Sequence, residues 1–280
     1  MRKLNIPTDD PIEVFETCIS KVQNADLKER LSNCKTKLTE ATKDYNIKAP
    51  DGLLHTIPTH NSVNGNVSTE EMKKVYTDRM VGIKSPGRHI YDKWINSAPN
   101  NICPLCAQRT VKTLDHHLPK AHFPIYSVAP INIFPACIDC NKNKLNTIPT
   151  SPENELIHPY FDDFDDFTWL KAKVMEKKPA SVKYYTEKPD SWDEIKYKRI
   201  ENHFNMLELD TLYASHSGVE LTINNLRLND LFETGGVDSV KEFLEESYHS
   251  MKAVNLNSWQ TALYHALLNS TWFQEGGFKN

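Results

Sequence analysis

Residues 103–144 read CPLCAQRTVKTLDHHLPKAHFPIYSVAPINIFPACIDCNKNK, and the fold turns on how this stretch is understood. It holds two C-x2-C pairs, Cys103/Cys106 and Cys137/Cys140, with 30 residues between them. Each pair can form a tight turn that aims two sulfurs at one ion, so the four thiolates can close a tetrahedral shell around Zn2+. A closed shell leaves no position for substrate. Such a zinc clamps two chain segments together and performs no hydrolysis itself. The rival reading, a redox C-x-x-C, expects one such pair in a βαβ context, and here there are two without it.

The clamp would draw together what lies between and just behind the cysteines. Asp115 and His116 sit between the pairs, and Asn141 follows the last cysteine. A carboxylate and an amide oxygen are hard ligands suited to Mg2+ or Mn2+, with positions left for water and phosphate oxygens. A neighbouring imidazole can take a proton from water near neutral pH. The combination suits phosphodiester hydrolysis.

Bulk properties agree with a folded, soluble chain. The 280 residues are 39% hydrophobic and 25% charged, ordinary globular proportions. No apolar run is long enough for a bilayer span, and the N-terminus lacks the pattern of a secretion signal, so the expectation is a cytoplasmic protein with no membrane partner. Net charge is −4, which excludes a global positive field; affinity for a polyanion must be local. Residues 101–150 supply that locally, with Arg109, Lys112, Lys120, Lys142 and Lys144 against Asp115 and Asp139, a net +3 without histidines.

The flanking sequence reads mainly as helix. Asp9, Asp10 and Pro11 start one helix, with Ile12, Phe15, Cys18, Ile19 and Val22 on its stripe. Leu27, Leu31, Cys34, Leu38, Ala41 and Tyr45 recur in steps of four and three, the seam of a helix pair, so Cys18 and Cys34 read as core thiols. Residues 50–68 read as a loop. Ser68 and Glu71 read as a capping box opening a helix that carries Met72, Val75, Tyr76 and Met80, and a short helix follows through Ile90, Tyr91 and Trp94. Residues 169–174 and 182–186 read as a hairpin, and the C-terminal part as helical, with stripes through Val240, Leu244, Tyr248 and through Trp259, Leu263, Leu267. The expected architecture is α+β and α-rich: a helical region over 1–98, a zinc-stabilised module over 99–150, and a mostly helical region with a small hairpin over 151–280.

The central segment resembles the HNH (ββα-metal) endonucleases, specifically those with a four-cysteine zinc site around the catalytic motif. The matching residues are Cys103-x-x-Cys106, Leu114-Asp115-His116-x-Leu118-Pro119-Lys120, Asn132, and Cys137-x-x-Cys140-Asn141-x-x-Lys144. They cover about fifty residues; "GRHIYDKW" and "HPYFDDF" look like flanks of a bacterial subgroup. The resemblance implies that Asp115 and Asn141 ligate a catalytic Mg2+ or Mn2+, that His116 is the general base, and that Asn132 holds the hairpin loop and orients His116. Asn141 stands where many members have a metal-binding histidine. It further implies contacts from Lys120, Lys142 and Lys144 to nucleic acid, DNA before RNA, and products with a 5′-phosphate and a 3′-hydroxyl. Proteins of this size and flank pattern resemble nuclease subunits of anti-phage systems such as Septu, also found with retrons, in which an ATPase partner restrains or directs cleavage. Two other classes stay open: a ribonuclease, for instance one cleaving tRNA, and a non-catalytic zinc-ribbon protein that binds nucleic acid. His117 is expected to pack or lie at the surface, His122 to be a loop residue or to approach the phosphate, and His158 with Asp162–Asp166 to form a solvated or capping cluster in preference to a second metal site.

Overall fold

In a computed structural model, residues 1–279 are described, and they divide into two compact units, Arg2–Asp162 and a second unit built from Asp163 onward together with Met1. Helix dominates, and the strands form three two-stranded antiparallel sheets, so the chain is α+β and α-rich. No helix among the described residues is long and apolar enough to cross a membrane.

The first unit begins with three helices, α1 (Pro11–Ile19), α2 (Ala25–Ser32) and α3 (Lys35–Lys48). Asp10 caps α1 by accepting from the Ile12 and Glu13 amides, as the Asp-Pro start implies. The seam expected as one continuous stripe is split at Asn33 and Cys34. Asn33 ends α2, and its carbonyl accepts a bond from Asn64 Nδ2, so tertiary structure takes the group that would have continued the helix. Cys18 and Cys34 are fully buried in the core with Phe15, Leu31 and Leu38.

Within residues 50–68 the structure places one short antiparallel pair, β1 (Ser62–Val63) and β2 (Val67–Ser68). Helix α4 (Thr69–Tyr76) then opens on the expected capping box, with Ser68 and Glu71 bonded reciprocally, and its last turn widens into a π turn over Thr77–Val81. Glu71 also accepts a forked bond from Arg30 of α2, which ties α2 to the start of α4. Helix α5 (Arg88–Ile95) follows directly on Gly87. A Cβ there would stand 2.8 Å from Cys18 Sγ and 2.9 Å from the Arg79 carbonyl, so only glycine fits.

A two-stranded hairpin and a short helix complete the unit. Strands β3 (Thr113–His116) and β4 (Ile133–Ala136) pair antiparallel, with Asp115 opposite Phe134 and His116 opposite Ile133, and α6 (Ile138–Lys144) runs on from β4. Leu114 and Ile133 belong to the same buried cluster as Phe15, Met72, Tyr91 and Trp94, so the N-terminal helices and the hairpin share one core across the segment border expected at 98/99. A second cluster, through Tyr45, Leu118, Phe123, Tyr126 and Ile131, packs the long β3–β4 connection onto α3.

The second unit holds the hairpin β5 (Leu170–Met175) and β6 (Ser181–Thr186), then α7 (Glu194–Met206), α8 (Leu209–Val254) and α9 (Trp259–Leu268). The hairpin buries Leu170, Val174, Val182 and Tyr184, and the Tyr184 hydroxyl donates to the Trp259 carbonyl. Asn257, buried between α8 and α9, accepts from the amides of Trp169 and Leu170 and fixes the start of β5. Helix α8 is 46 residues long and is interrupted at Gly236, whose φ of 66° lies outside the helical region.

Candidate metal and catalytic site

The cysteines meet as their spacing requires. Cys103 and Cys106 sit on a tight hairpin closed by the bonds Cys103 N to Arg109 O and Ala107 N to Cys103 O, with Ala107 in the left-handed region. Cys137 caps α6 and Cys140 lies in its first turn. All four sulfurs are buried and lie within 4.8 Å of one another. Tetrahedral Zn–S bonds would set them about 3.8 Å apart, a small contraction. The amides of Arg109 and Cys140 donate to Cys106 Sγ and Cys137 Sγ at 3.4 Å, which favours thiolate over thiol at both positions. Hydrogen bonds from the neighbouring thiols hold Cys106 below the ordinary thiol range, and contacts within the same cluster push Cys103 and Cys140 up. The residues fit a structural zinc.

The cluster fixes the root of α6 beside β3, and α6 reaches the catalytic candidates through Lys144. This side chain is only 2% exposed; its ammonium donates to the His116 carbonyl and lies 3.5 Å from the Asp115 carboxylate. The lysine expected to meet nucleic acid is thus committed within the chain. Lys142, on the opposite side of α6, is exposed. Asn141 precedes Lys144 by three residues, so both lie on the helix face turned to β3. Among the described residues, no hydrogen bond joins Asn141 to Asp115; the α6 side chain that reaches Asp115 is Lys144.

Asp115 is 5% exposed. One carboxylate oxygen accepts from the His116 amide at 2.7 Å, while Oδ2 is buried with no hydrogen bond. Burial raises its pKa, against the pull of Lys144. Oδ2 has the Lys144 ammonium at 3.5 Å and no hydrogen bond, so a hard cation could still use it; carboxylate and amide oxygens such as those of Asp115 and Asn141 are the donor types that suit Mg2+ or Mn2+.

His116 is 3% exposed and has a defined tautomer. Its Nε2 lies 2.9 Å from the Ser127 carbonyl, which can only accept, so Nε2 carries the hydrogen and Nδ1 the lone pair. Burial, reinforced by Lys120, holds the pKa well below the ordinary histidine value, so the ring is neutral at pH 7. Tyr76 of α4 packs edge-on against it with ring centroids 4.5 Å apart, and the Lys120 ammonium lies over the Tyr76 ring, 5.0 Å from its centroid. Burial lowers the Lys120 pKa, partly offset by Asp115.

Asn132 is completely buried and makes four bonds. Oδ1 accepts from the Leu118 amide at 2.7 Å and from the Tyr45 hydroxyl at 3.2 Å; Nδ2 donates to the carbonyls of Leu118 and Tyr126. These bonds pin the segment leaving β3 directly behind His116. Tyr45 is in turn 3.0 Å from His158 Nε2. The Tyr160 amide donates to His158 Nδ1, which puts the ring hydrogen on Nε2 and gives the run one direction, His158 to Tyr45 to Asn132. His117 is buried against the rings of His158, 4.2 Å away between centroids, and Phe134, at 6.3 Å, inside the core. His122 is half-buried in the connection. The acidic run is spent locally: Asp162 accepts from the His158 amide, and in the second unit Asp165 bonds Asn257 and Asp166 pairs with Lys196.

Tyr76, Ser127, Tyr45 and His158 were not singled out as parts of this site by the sequence. Tyr76 and Tyr45 are visible there only as members of apolar stripes, and a backbone carbonyl such as that of Ser127 leaves no mark in residue type.

No known family profile matches the chain, and no solved structure matches it. Across 99% of its length it is 26% identical to Protein ea31 of Escherichia phage lambda, all of which is covered.

Proposed function

We propose that the protein is a metal-dependent endonuclease of the HNH kind that hydrolyses phosphodiester bonds in DNA. The observation that carries the reading is the pairing of a buried carboxylate, Asp115, which Lys144 approaches only to 3.5 Å, with a neutral imidazole whose Nδ1 alone can act as base. Mg2+ or Mn2+ held by Asp115 and Asn141 would supply positive charge to the scissile phosphate and to the leaving 3′ oxygen.

The chain's own residues do the rest. The Ser127 carbonyl holds the imidazole by Nε2, so a proton taken from water arrives at Nδ1, and the ring becomes imidazolium with its second N–H already bonded. Asn132 fixes the strand exit so that this ring keeps its direction. Lys120 adds charge for an incoming phosphate, and Lys144 keeps α6 and β3 together at the carboxylate. The products are a 5′-phosphate and a 3′-hydroxyl. We further propose that an ATPase partner restrains or directs cleavage, as in the anti-phage systems whose nuclease subunits the chain resembles; that resemblance is its support.

The test is incubation of wild type and His116→Ala with plasmid DNA and with total RNA, with and without Mg2+. Mg2+-dependent nicking of plasmid that is lost in His116→Ala supports the reading. Cleavage of RNA alone would move the substrate to RNA, and nucleic-acid binding without cleavage would leave a zinc-ribbon binding protein.

A further inference from the structure

The β5–β6 hairpin carries more charge than its fold requires. Residues 171–188 contain six lysines and two glutamates on a chain whose net charge is −4. Lys171 pairs with Glu187 and Lys188 with Glu194, but Lys173, Lys177, Lys178 and Lys183 are exposed and have no ion pair among the described residues. Register sharpens the point. Lys173 and Lys183 stand directly opposite each other on the exposed face, a cross-strand like-charge pair that weakens the hairpin. Water and salt screen such a pair, and a polyanion lying across the face would relieve it by meeting both ammonium groups.

The same face carries rings. Tyr185, opposite Lys171, is 39% exposed, and Met175, opposite Ser181, is equally open. Beside them a cavity of about 490 Å3 is lined by Lys171 and Lys173, by Glu176 and Glu187, and by Tyr185 and Trp272. That volume suits a nucleotide. Within it Lys171 is paired with Glu187, so the phosphate contact falls to Lys173 at the rim, while the Asn269 amide can hydrogen-bond a base and Tyr185 and Trp272 supply aromatic faces for it. Duplex DNA keeps its bases stacked inside and has no use for exposed rings; an unpaired strand does.

We propose that the exposed face of the β5–β6 hairpin binds single-stranded DNA, with Lys173 and Lys183 on the phosphates and an unpaired base lodged in the adjoining cavity against Tyr185 and Trp272. The proposal rests on the nuclease reading for its choice of DNA, but its chemistry is separate from cleavage. The second unit then holds a strand, while the first unit carries the cutting residues.

The experiment is fluorescence anisotropy with labelled single-stranded and duplex oligonucleotides of the same sequence. It uses the zinc-loaded full chain in the His116→Ala background, with no divalent cation added. The added variants are K173Q/K183Q and Y185A, all at exposed positions, with unchanged circular dichroism as the check on folding. K173Q/K183Q is expected to weaken single-strand binding about tenfold near 100 mM salt, and to make the plot of log affinity against log salt shallower by about 1.4, the value for two lost phosphate contacts. Y185A is expected to weaken single-strand binding about tenfold and leave duplex binding unchanged. Wild-type-like affinity in both variants overturns the proposal, as does a parent that binds no DNA. Equal losses on single strand and duplex from the lysine pair, with none from Y185A, overturn the assignment to an unpaired strand. Failure of the nuclease reading looks different: the wild type would bind strand through the hairpin and cut nothing when Mg2+ is present.

Discussion

Asn132→Ala should cost the first unit a large part of its stability. The amide is completely buried and makes four hydrogen bonds. Without it, the Leu118 amide and carbonyl both lose their side-chain partner, and a buried polar group left unpaired costs about 1–3 kcal/mol. The Tyr45 hydroxyl retains His158, and the Tyr126 carbonyl retains the Ala129 amide, so their losses are smaller. The sum is about 3–5 kcal/mol, against about 5–15 kcal/mol for a whole domain. Asn132→Asp should also destabilise, because it forfeits both donated bonds and puts a carboxylate in their place. Urea denaturation followed by circular dichroism would show the midpoint shift at unchanged slope. A loss below about 1 kcal/mol in Asn132→Ala would refute the argument that this side chain pins the segment behind His116.

Other perturbations separate the remaining parts of the account. Lys144→Met strands the Asp115 carboxylate in a buried site, and should destabilise the first unit by about 3 kcal/mol in the same urea assay, whereas Lys142→Met, at an exposed position, should change stability by less than about 0.5 kcal/mol. Cys137→Ser should release zinc, read as one metal per chain by elemental analysis of the wild type and less in the variant, with a lowered melting temperature. The His116 pKa is depressed in the fold, so the unfolded chain binds a proton that the folded chain resists. Stability should therefore fall as pH drops below about 6.5 toward the depressed folded value, and His116→Gln should flatten that slope in pH-dependent melting. Glu71 is held at about 2 by the Arg30 fork; its contribution is present above the ordinary carboxylate value near 4.5 and is lost as pH falls toward 2, so Glu71→Gln should remove part of the acid sensitivity.

Those elements that announce themselves locally were legible in the sequence. The Asp-Pro start of α1, the Ser68/Glu71 box and the alternation of β5 and β6 each depend on near neighbours, and each appears within a residue or two of its expected place. The cysteine spacing likewise carried the cluster, because four thiols at that separation have few other uses. What sequence could not carry was long-range: the break at Asn33 depends on Asn64, and the run from His158 through Tyr45 to Asn132 joins residues 113 and 87 positions apart. Lys144 shows the same limit in reverse. In sequence it is one more lysine of a basic patch, and only the packing of α6 on β3 reveals that its ammonium is buried against Asp115 and the His116 carbonyl.

The central claim is that Asp115, His116 and Asn141 converge on a hydrated divalent cation whose place the cysteine cluster fixes. Anomalous scattering from crystals soaked in Mn2+ tests it most directly. The account predicts a manganese peak within bonding distance, about 2.2 Å, of an Asp115 carboxylate oxygen and the Asn141 side-chain oxygen, with His116 Nδ1 facing a metal-bound or adjacent water. Manganese bound elsewhere, or an Asp115 that keeps only its lysine neighbours and no metal at saturating Mn2+, would contradict it.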